Sequence, residues 1–401
     1  MSLSRTPDGN YSWLVVLVGA IALVFTLGTS FSYGIFLAPL SEQYHLSPVA
    51  ISFIFAIHLF AAYSVAGTLG VVATRFPVRR VFLAIGGITA LLAPGLYVVD
   101  SLLGLLLVFS VLGATLGLAV IMIISVVPQW FDVRQGLATG VLFVGIGASL
   151  FVMPPAWNLV FTTIGVRAGF LAILGLSALS FFGAAVICHH PPWIARDIVT
   201  VSALGSWMKS LIRKRRFQYL LFGFAFAFTW FYLLAGFGVA YFEHRGLDRS
   251  VAAVTFGMIG GISIVARLGS GALADRLGYG QTYLLSLGCA LVGCLLLLLP
   301  RLVSIYIAIV FFGLSLGGVT TLYVPIALRM YNPDKSTAIV GIFSIGLGIT
   351  ALAAPPVATT LVSSTGSFLP VIILTMATVA IASVLIWLGA VANEGSVPED
   401  S

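Results

Sequence analysis

Apolar stretches of roughly 20 residues or more alternate with short polar breaks along most of this chain. Twelve stand out, at about 13–40, 49–74, 81–99, 102–127, 136–163, 168–188, 218–242, 251–275, 282–299, 302–329, 336–361 and 367–392. Read as helices, segments of this length cross a hydrocarbon core roughly 30 Å thick. The pattern predicts an all-α membrane protein with twelve transmembrane helices. The longest polar break, HHPPWIARDIVTVSALGSWMKSLIRKRRF, runs over about 189–217 and divides the twelve into six plus six. The expected plan is a six-helix bundle over 1–188, a cytoplasmic linker over 189–217 and a second six-helix bundle over 218–401. Within the linker, Pro191 and Pro192 end the sixth segment. Leu204, Trp207, Met208 and Leu211 then fall at helical spacing, with Ser206, Lys209, Ser210 and Arg213 opposite. That spacing predicts a helix lying in the membrane interface, with the basic cluster 213–216 at the lipid headgroups. Its plain role is a topological linker.

Composition agrees with a membrane setting. Of 401 residues, 60% are hydrophobic and only 8% charged, where a soluble domain carries about 25% charged residues. The net charge of +7 raises the question of nucleic acid, and its distribution answers it. With the N-terminus inside, the inner loops and termini hold fourteen of the 19 Lys and Arg residues, and the outer loops hold Arg167, Arg245, Arg249 and Arg301. This asymmetry follows the positive-inside rule, with both termini cytoplasmic. The basic balance is topology, not a nucleic-acid footprint. Cys188, Cys289 and Cys294 lie in or beside apolar helix without ligand spacing, so they read as small packing residues. The first apolar run has no short leader-like core with a small-residue cleavage site, so it is expected to be retained.

The halves repeat each other. Gly70, Ala73 and Arg75 in GVVATRFPVRR recur 201 positions later as Gly271, Ala274 and Arg276 in GALADRLGYGQ. Pro154-Pro155 recur at the same offset as Pro355-Pro356. Features sharing one offset within a six-plus-six plan indicate an internal duplication.

One charge lies deep. Arg267 sits in GMIGGISIVARLGSGALADRLG, with no acid for roughly two turns on either side. A guanidinium stays protonated at any workable pH, and holding it within a span costs a few kcal/mol or more. The economical partner is an anionic substrate, since a carboxylate accepts two hydrogen bonds from the planar fork. A structural role, capping backbone carbonyls at a kink, is the alternative. No other Lys or Arg lies well within a span, which suits a monoanion better than a dicarboxylate. His58 is the only histidine well within a span, and it titrates near neutrality. It reads either as a polar packing residue or as a proton carrier.

GALADRLG resembles the loop signature of the major facilitator superfamily, and the resemblance covers nearly the whole chain. It implies a secondary carrier working by alternating access, with the substrate site near mid-membrane between the two repeats. The first-half copy departs at Thr74 and Pro77. Asp275, Arg276, Arg75 and Arg134 become gating candidates, a static ion pair being the other reading of the first two. DGNYSW (8–13) and WFDVRQGLATGVLFVGIGAS (130–149) further resemble two motifs of the monocarboxylate transporter family. Asp8, Gly9 and Trp13 match the first; Phe131, Arg134, Leu137, Ala138, Gly140 and Gly145 fall in place in the second. Arg267 stands where that family carries its substrate arginine.

The resemblance implies transport of short monocarboxylates such as lactate or pyruvate, usually with a proton, by a monomeric carrier of the cell inner membrane. It also exposes two departures. The family's acid one turn before the arginine is Ser263 here, and its lysine on the first helix falls at Phe31. The usual protonation switch is therefore missing, and proton and substrate crossing together as a neutral acid is a further route. The related oxalate and formate exchangers carry a lysine in segment 11, which STAIVGIFSIGLGITALAAPP lacks. Tyr33, Tyr323, Trp230 and Tyr232 are candidate cavity walls by their helices, though aromatic residues in spans mostly pack; Asn158 suits an interhelical bond. The glycine-rich stretches GATLG, GIGAS and GGISIVARLGSG read as close helix packing, not phosphate loops. No Walker loop, metal cluster or catalytic triad is recognisable. No cofactor is expected, an intramembrane enzyme is disfavoured, and the energy is expected from gradients.

Overall fold

The computed structural model describes residues 6–68, 76–192, 210–330 and 336–392. It contains twelve helices long and apolar enough to cross a membrane. The chain divides into two compact units, Met1–Ile198 and Val199–Ser401, with the division inside the expected linker. The first unit holds α1 (Asn10–Phe31), α2 (Tyr33–Tyr44), α3 (Pro48–Thr68), α4 (Val78–Leu92), α5 (Leu102–Val126), α6 (Gln135–Ile164) and α7 (Val166–Ile187). The second holds α8 (Arg215–His244), α9 (Arg249–Leu277), α10 (Tyr279–Leu297), α11 (Leu302–Met330), α12 (Ser336–Thr365) and α13 (Leu369–Ile386). Most of the expected interfacial helix, together with Arg75, Gly70 and Ala73, lies outside the described residues. Residues 210–213 form a helical turn with Leu211 buried.

Two expected segments are interrupted. Segment 13–40 breaks at Ser32, separating α1 from α2. There the Ser32 hydroxyl donates to the Gly28 carbonyl at 2.5 Å, and Ser30 donates to Thr26 at 3.0 Å. Such back-bonding competes with the helix ladder and bends it. The third segment closes as α4 just before Pro94 and resumes as one turn, Gly95–Val98, because proline supplies no N–H and restricts the residue before it.

The duplication reappears as contacts. In the first unit α3 packs along α5 and α1 along α6; in the second α9 packs along α11 and α8 along α12. Glycines set the close approaches. A Cβ on Gly113 would overlap the His58 carbonyl oxygen, and one on Gly117 that of Ala62. The second unit repeats this: a Cβ on Gly313 would lie 3.1 Å from Ile259 O, and one on Gly317 2.8 Å from Ser263 O. Ile259 and Ser263 are the 201-offset counterparts of His58 and Ala62. A third pair follows suit: Gly145 rests on Ala20, and Gly346 on Leu221. GATLG is thus helix packing, as its context implied: small residues let backbones approach where lipid offers no hydrophobic drive.

Helix ends are tied in a matching way. Tyr44 Oη donates to the Leu96 carbonyl at 2.9 Å. Leu297, 201 positions on from Leu96, accepts from Tyr241 and from Arg245 Nη1.

Gly317 yields a stability prediction. A Cβ there would overlap Ala266 Cβ and lie 2.9 Å from Arg267 N. Gly317→Val must push α9 from α11, and overpacking of this kind costs about 1–3 kcal/mol. Its melting temperature in detergent should fall; a transition matching the parent would show that this contact does not hold the helices.

Candidate functional site

Arg267 lies on α9, and its burial follows from the glycine contacts just described. Ala266 and the Arg267 backbone sit against Gly317 of α11, which turns this face inward. The residue is 7% exposed, and its Nε and Nη1 are buried without a hydrogen-bond partner among the described residues. No carbonyl cap of the kind the structural alternative requires is seen for these two atoms. The first acid toward the C-terminal end is Asp275, roughly 12 Å along the helix at 1.5 Å per residue. That acid is exposed and accepts from Tyr279 Oη at 3.1 Å. Arg276 beside it is exposed on the last turn of α9.

Ser263 lies fully buried one turn from Arg267, and its hydroxyl donates to Gly260 O at 2.7 Å. As placed, it offers an approaching carboxylate no proton. On α8, Trp230 stacks on Phe312 with centroids 5.3 Å apart, and its Nε1 has no hydrogen-bond partner among the described residues. Tyr232 is buried, its ring 6.3 Å from that of Phe231. Tyr323 on α11 packs on Phe224 and Phe228 at 6.0 and 5.7 Å. Sequence reasoning missed Tyr283 on α10, which is fully buried with no hydrogen-bond partner for its hydroxyl among the described residues. Its flanks, Thr282 and Ser286, are hydroxyl residues that drew no attention to it in the sequence.

The first unit holds the remaining candidates. Tyr33 stacks on Phe55 at 4.2 Å, and Phe31 is half-buried at the end of α1. Asn158 is buried on α6. His58 is 2% exposed, with Nδ1 3.1 Å from the Phe109 carbonyl and Nε2 3.0 Å from Ser30 Oγ. Thr29, Tyr33 and His58 share a cavity of about 10 Å³, room for no more than one water.

The two family-like motifs prove to be one structure. Asp8 adopts a left-handed backbone, φ 56°, and its carboxylate accepts three backbone N–H groups. Oδ2 takes Asp132 and Val133, both at 3.1 Å, and Oδ1 takes Arg134 at 2.9 Å. This caps the start of α6, while the exposed Arg134 occupies its N-cap position. Tyr11 lies against Trp130 at 5.0 Å and Trp13 against Phe131 at 5.1 Å. Tyr11 Oη also donates to Ile187 O at 2.6 Å, and Trp130 Nε1 to His189 O at 2.8 Å. The starts of α1 and α6 and the end of α7 are thereby clasped.

Desolvation pushes the Asp8 carboxyl up, but the N–H donors of Val133, Arg134 and Asp132 and the Arg134 charge outweigh it and hold the group below its ordinary 3.8. A depressed value means the clasp contributes stability above the ordinary carboxylate range and loses it as pH falls through the folded value. Asp8→Asn should therefore melt at a lower temperature than the parent at neutral pH, with the gap narrowing on acidification. A gap independent of pH would sink the carboxylate account.

Two compact units of six apolar spans each describe a multi-pass membrane protein. Residues 18–331 match the Major Facilitator Superfamily family model, and the chain belongs to that superfamily. Among curated relatives, Monocarboxylate transporter 2 of Meriones unguiculatus is 23% identical, covering 96% of this chain and 85% of that protein. Monocarboxylate transporter 6 of Mus musculus is 25% identical, covering 90% and 83%. Among solved structures, a point mutant of the nucleoside transporter NupG superposes with a TM-score of 0.77 at 12% identity, covering 94% of this chain and 99% of that one. A bacterial homologue of the human lysosomal transporter Spinster gives 0.70 at 15% identity, covering 95% and 97%. These structures share the fold; the curated relatives resemble this chain along almost its whole length.

Proposed function

We propose that this transporter carries small monocarboxylates such as lactate or pyruvate, with Arg267 as the carboxylate anchor and a proton as the coupled ion. One observation carries the reading: two guanidinium nitrogens of Arg267 are buried with no hydrogen-bond partner among the described residues. A carboxylate is the planar acceptor that fits them, and the pairing strengthens away from water. The substrate thus neutralises the charge and lowers the barrier to alternating access. A single deep cation favours a monoanion, and the relatives named as monocarboxylate transporters point the same way. Asp275, Arg276, Arg75 and Arg134 are assigned to gating. We place both termini in the cytoplasm, with a monomer in the cell inner membrane.

Proton coupling cannot use the family's acid, because Ser263 replaces it. His58 can serve instead. In the neutral ring, Nδ1–H donates to Phe109 O and Nε2 accepts from Ser30. In the charged ring, Nε2–H donates to Ser30 Oγ, whose hydrogen turns to Thr26 O, 3.0 Å away. Every proton has an acceptor in both states, and no heavy atom moves. Tyr33 is the titratable group sharing its cavity, and no acid lines it. The charged state is therefore costly and short-lived, as transfer requires.

Proteoliposomes test both halves. Arg267→Gln should weaken lactate binding about ten- to hundredfold, the worth of a lost charged hydrogen bond, while melting like the parent. Retained affinity in that folded variant would remove Arg267 from the site.

An inward proton gradient should accelerate labelled lactate uptake by the parent. His58→Gln should lose this acceleration and keep lactate-for-lactate exchange. Acceleration equal to the parent's would end the role of His58 and leave co-transport of the neutral acid.

A further inference from the structure

The first unit carries a groove that the transport reading does not use. It lies between α3, α4 and α5 and holds about 770 Å³, within the roughly 300–1,000 Å³ range of ligand sites. Its walls are almost wholly apolar. Ala61, Ala84 and Ala114 are small enough to form the recess, and Ile88 and Val111 flank it. Ile88 is 39% exposed and Val111 45%, so the groove opens to the surroundings and not into the unit.

One end differs in charge. Arg80 lines the groove, Arg79 is adjacent, and both are exposed on the first turn of α4. The Arg80 side chain has no hydrogen-bond or ion-pair partner among the described residues, and no acid lines the groove. Pro77 stands at the N-cap of α4 without a capping side chain, so the positive helix end falls at the same place. From Arg80 the lining continues through Ala84 to Ile88, one residue per turn, a reach of roughly 12 Å. A single leaflet of hydrocarbon is roughly 15 Å deep, half of the 30 Å core. The groove thus has a cationic mouth and an apolar trough about one leaflet long.

We infer that it binds an anionic glycerophospholipid, the phosphate at Arg80 and an acyl chain along Ala84 and Ala114. Charge complementarity selects this occupant. A zwitterionic lipid brings its own cation to Arg80, and a soluble anion gains nothing from the trough. The site is separate from Arg267, so failure of either assignment leaves the other standing.

The test uses the full chain in nanodiscs of phosphatidylcholine with graded phosphatidylglycerol. Phosphatidylglycerol should raise the melting temperature and remain bound in native mass spectrometry. Arg80→Gln should reduce that retention about fivefold, the worth of one cation near a charged headgroup, while melting like the parent in pure phosphatidylcholine. Ala84→Trp should fill the trough and displace the lipid without changing charge. The inference is overturned if both variants retain phosphatidylglycerol like the parent. It is equally overturned if millimolar inorganic phosphate in detergent stabilises the protein as well as the lipid does, since that marks a free-anion site.

Discussion

The bilayer offers no water to a polar group, and the whole design answers to that. Backbone groups are satisfied within helices, and hydroxyls of Thr26, Ser30, Thr229 and Ser263 turn back onto their own helix carbonyls. Against this background Arg267 stands apart from the other buried groups without a described partner, such as Trp230 Nε1 and the Tyr283 hydroxyl, because its unpaired donors carry a full charge. Its position is fixed by glycine. Gly313 and Gly317 let α11 close on the backbone of α9, so the face that carries the arginine is turned inward. The cost of the charge and the rigidity of its seat belong together. A mobile arginine could escape toward a headgroup; this one is buried, which is what the proposed anchoring of an anion requires.

The two units share their packing and differ in their chemistry. The same glycine steps hold α3 to α5 and α9 to α11. At equivalent offsets, however, His58 corresponds to Ile259, Ala62 to Ser263 and Ala66 to Arg267. Duplication supplied a scaffold tolerant of change at these positions, because each unit keeps a glycine of one helix against the backbone carbonyls of His58 and Ala62 or of Ile259 and Ser263, whatever side chain those residues carry. The titratable group settled in one unit and the cation in the other.

How much of this could be read in the chain depends on range. The spans were legible because the membrane demands an apolar run from each one separately, and Arg267 because a cation in such a run is rare. The repeat was visible through Gly271, Arg276 and the proline pairs, since identical offsets need no structure. The break at Ser32 was not, because serine in a span signals nothing until its hydroxyl direction is known. The Asp8 clasp was hidden for another reason: its partners lie 124 to 126 positions away. DGNYSW and WFDVR each resembled a family pattern, but no spacing rule says that one caps the other. The aromatic residues, read as candidate walls or as packing, show the reverse difficulty. Trp230 and Tyr33 are engaged in ring stacking, and a sequence cannot separate a wall from a core.

Ser263 brings these threads to a chemical consequence. An acid one turn before the arginine would hold its charge in the empty state and would have to be protonated before an anion could enter. Here the neighbour is a hydroxyl whose proton is already given to Gly260. The empty transporter therefore has no internal counter-charge at this seat among the described residues, and in the proposed function the substrate anion provides it. Loading then changes the net charge of the buried seat from one to zero, whereas with a paired acid it would not change. The conformational step becomes sensitive to occupancy through electrostatics alone. Under this logic the proton has no task at Arg267, and a titratable group elsewhere, such as His58, is where its energy can be applied.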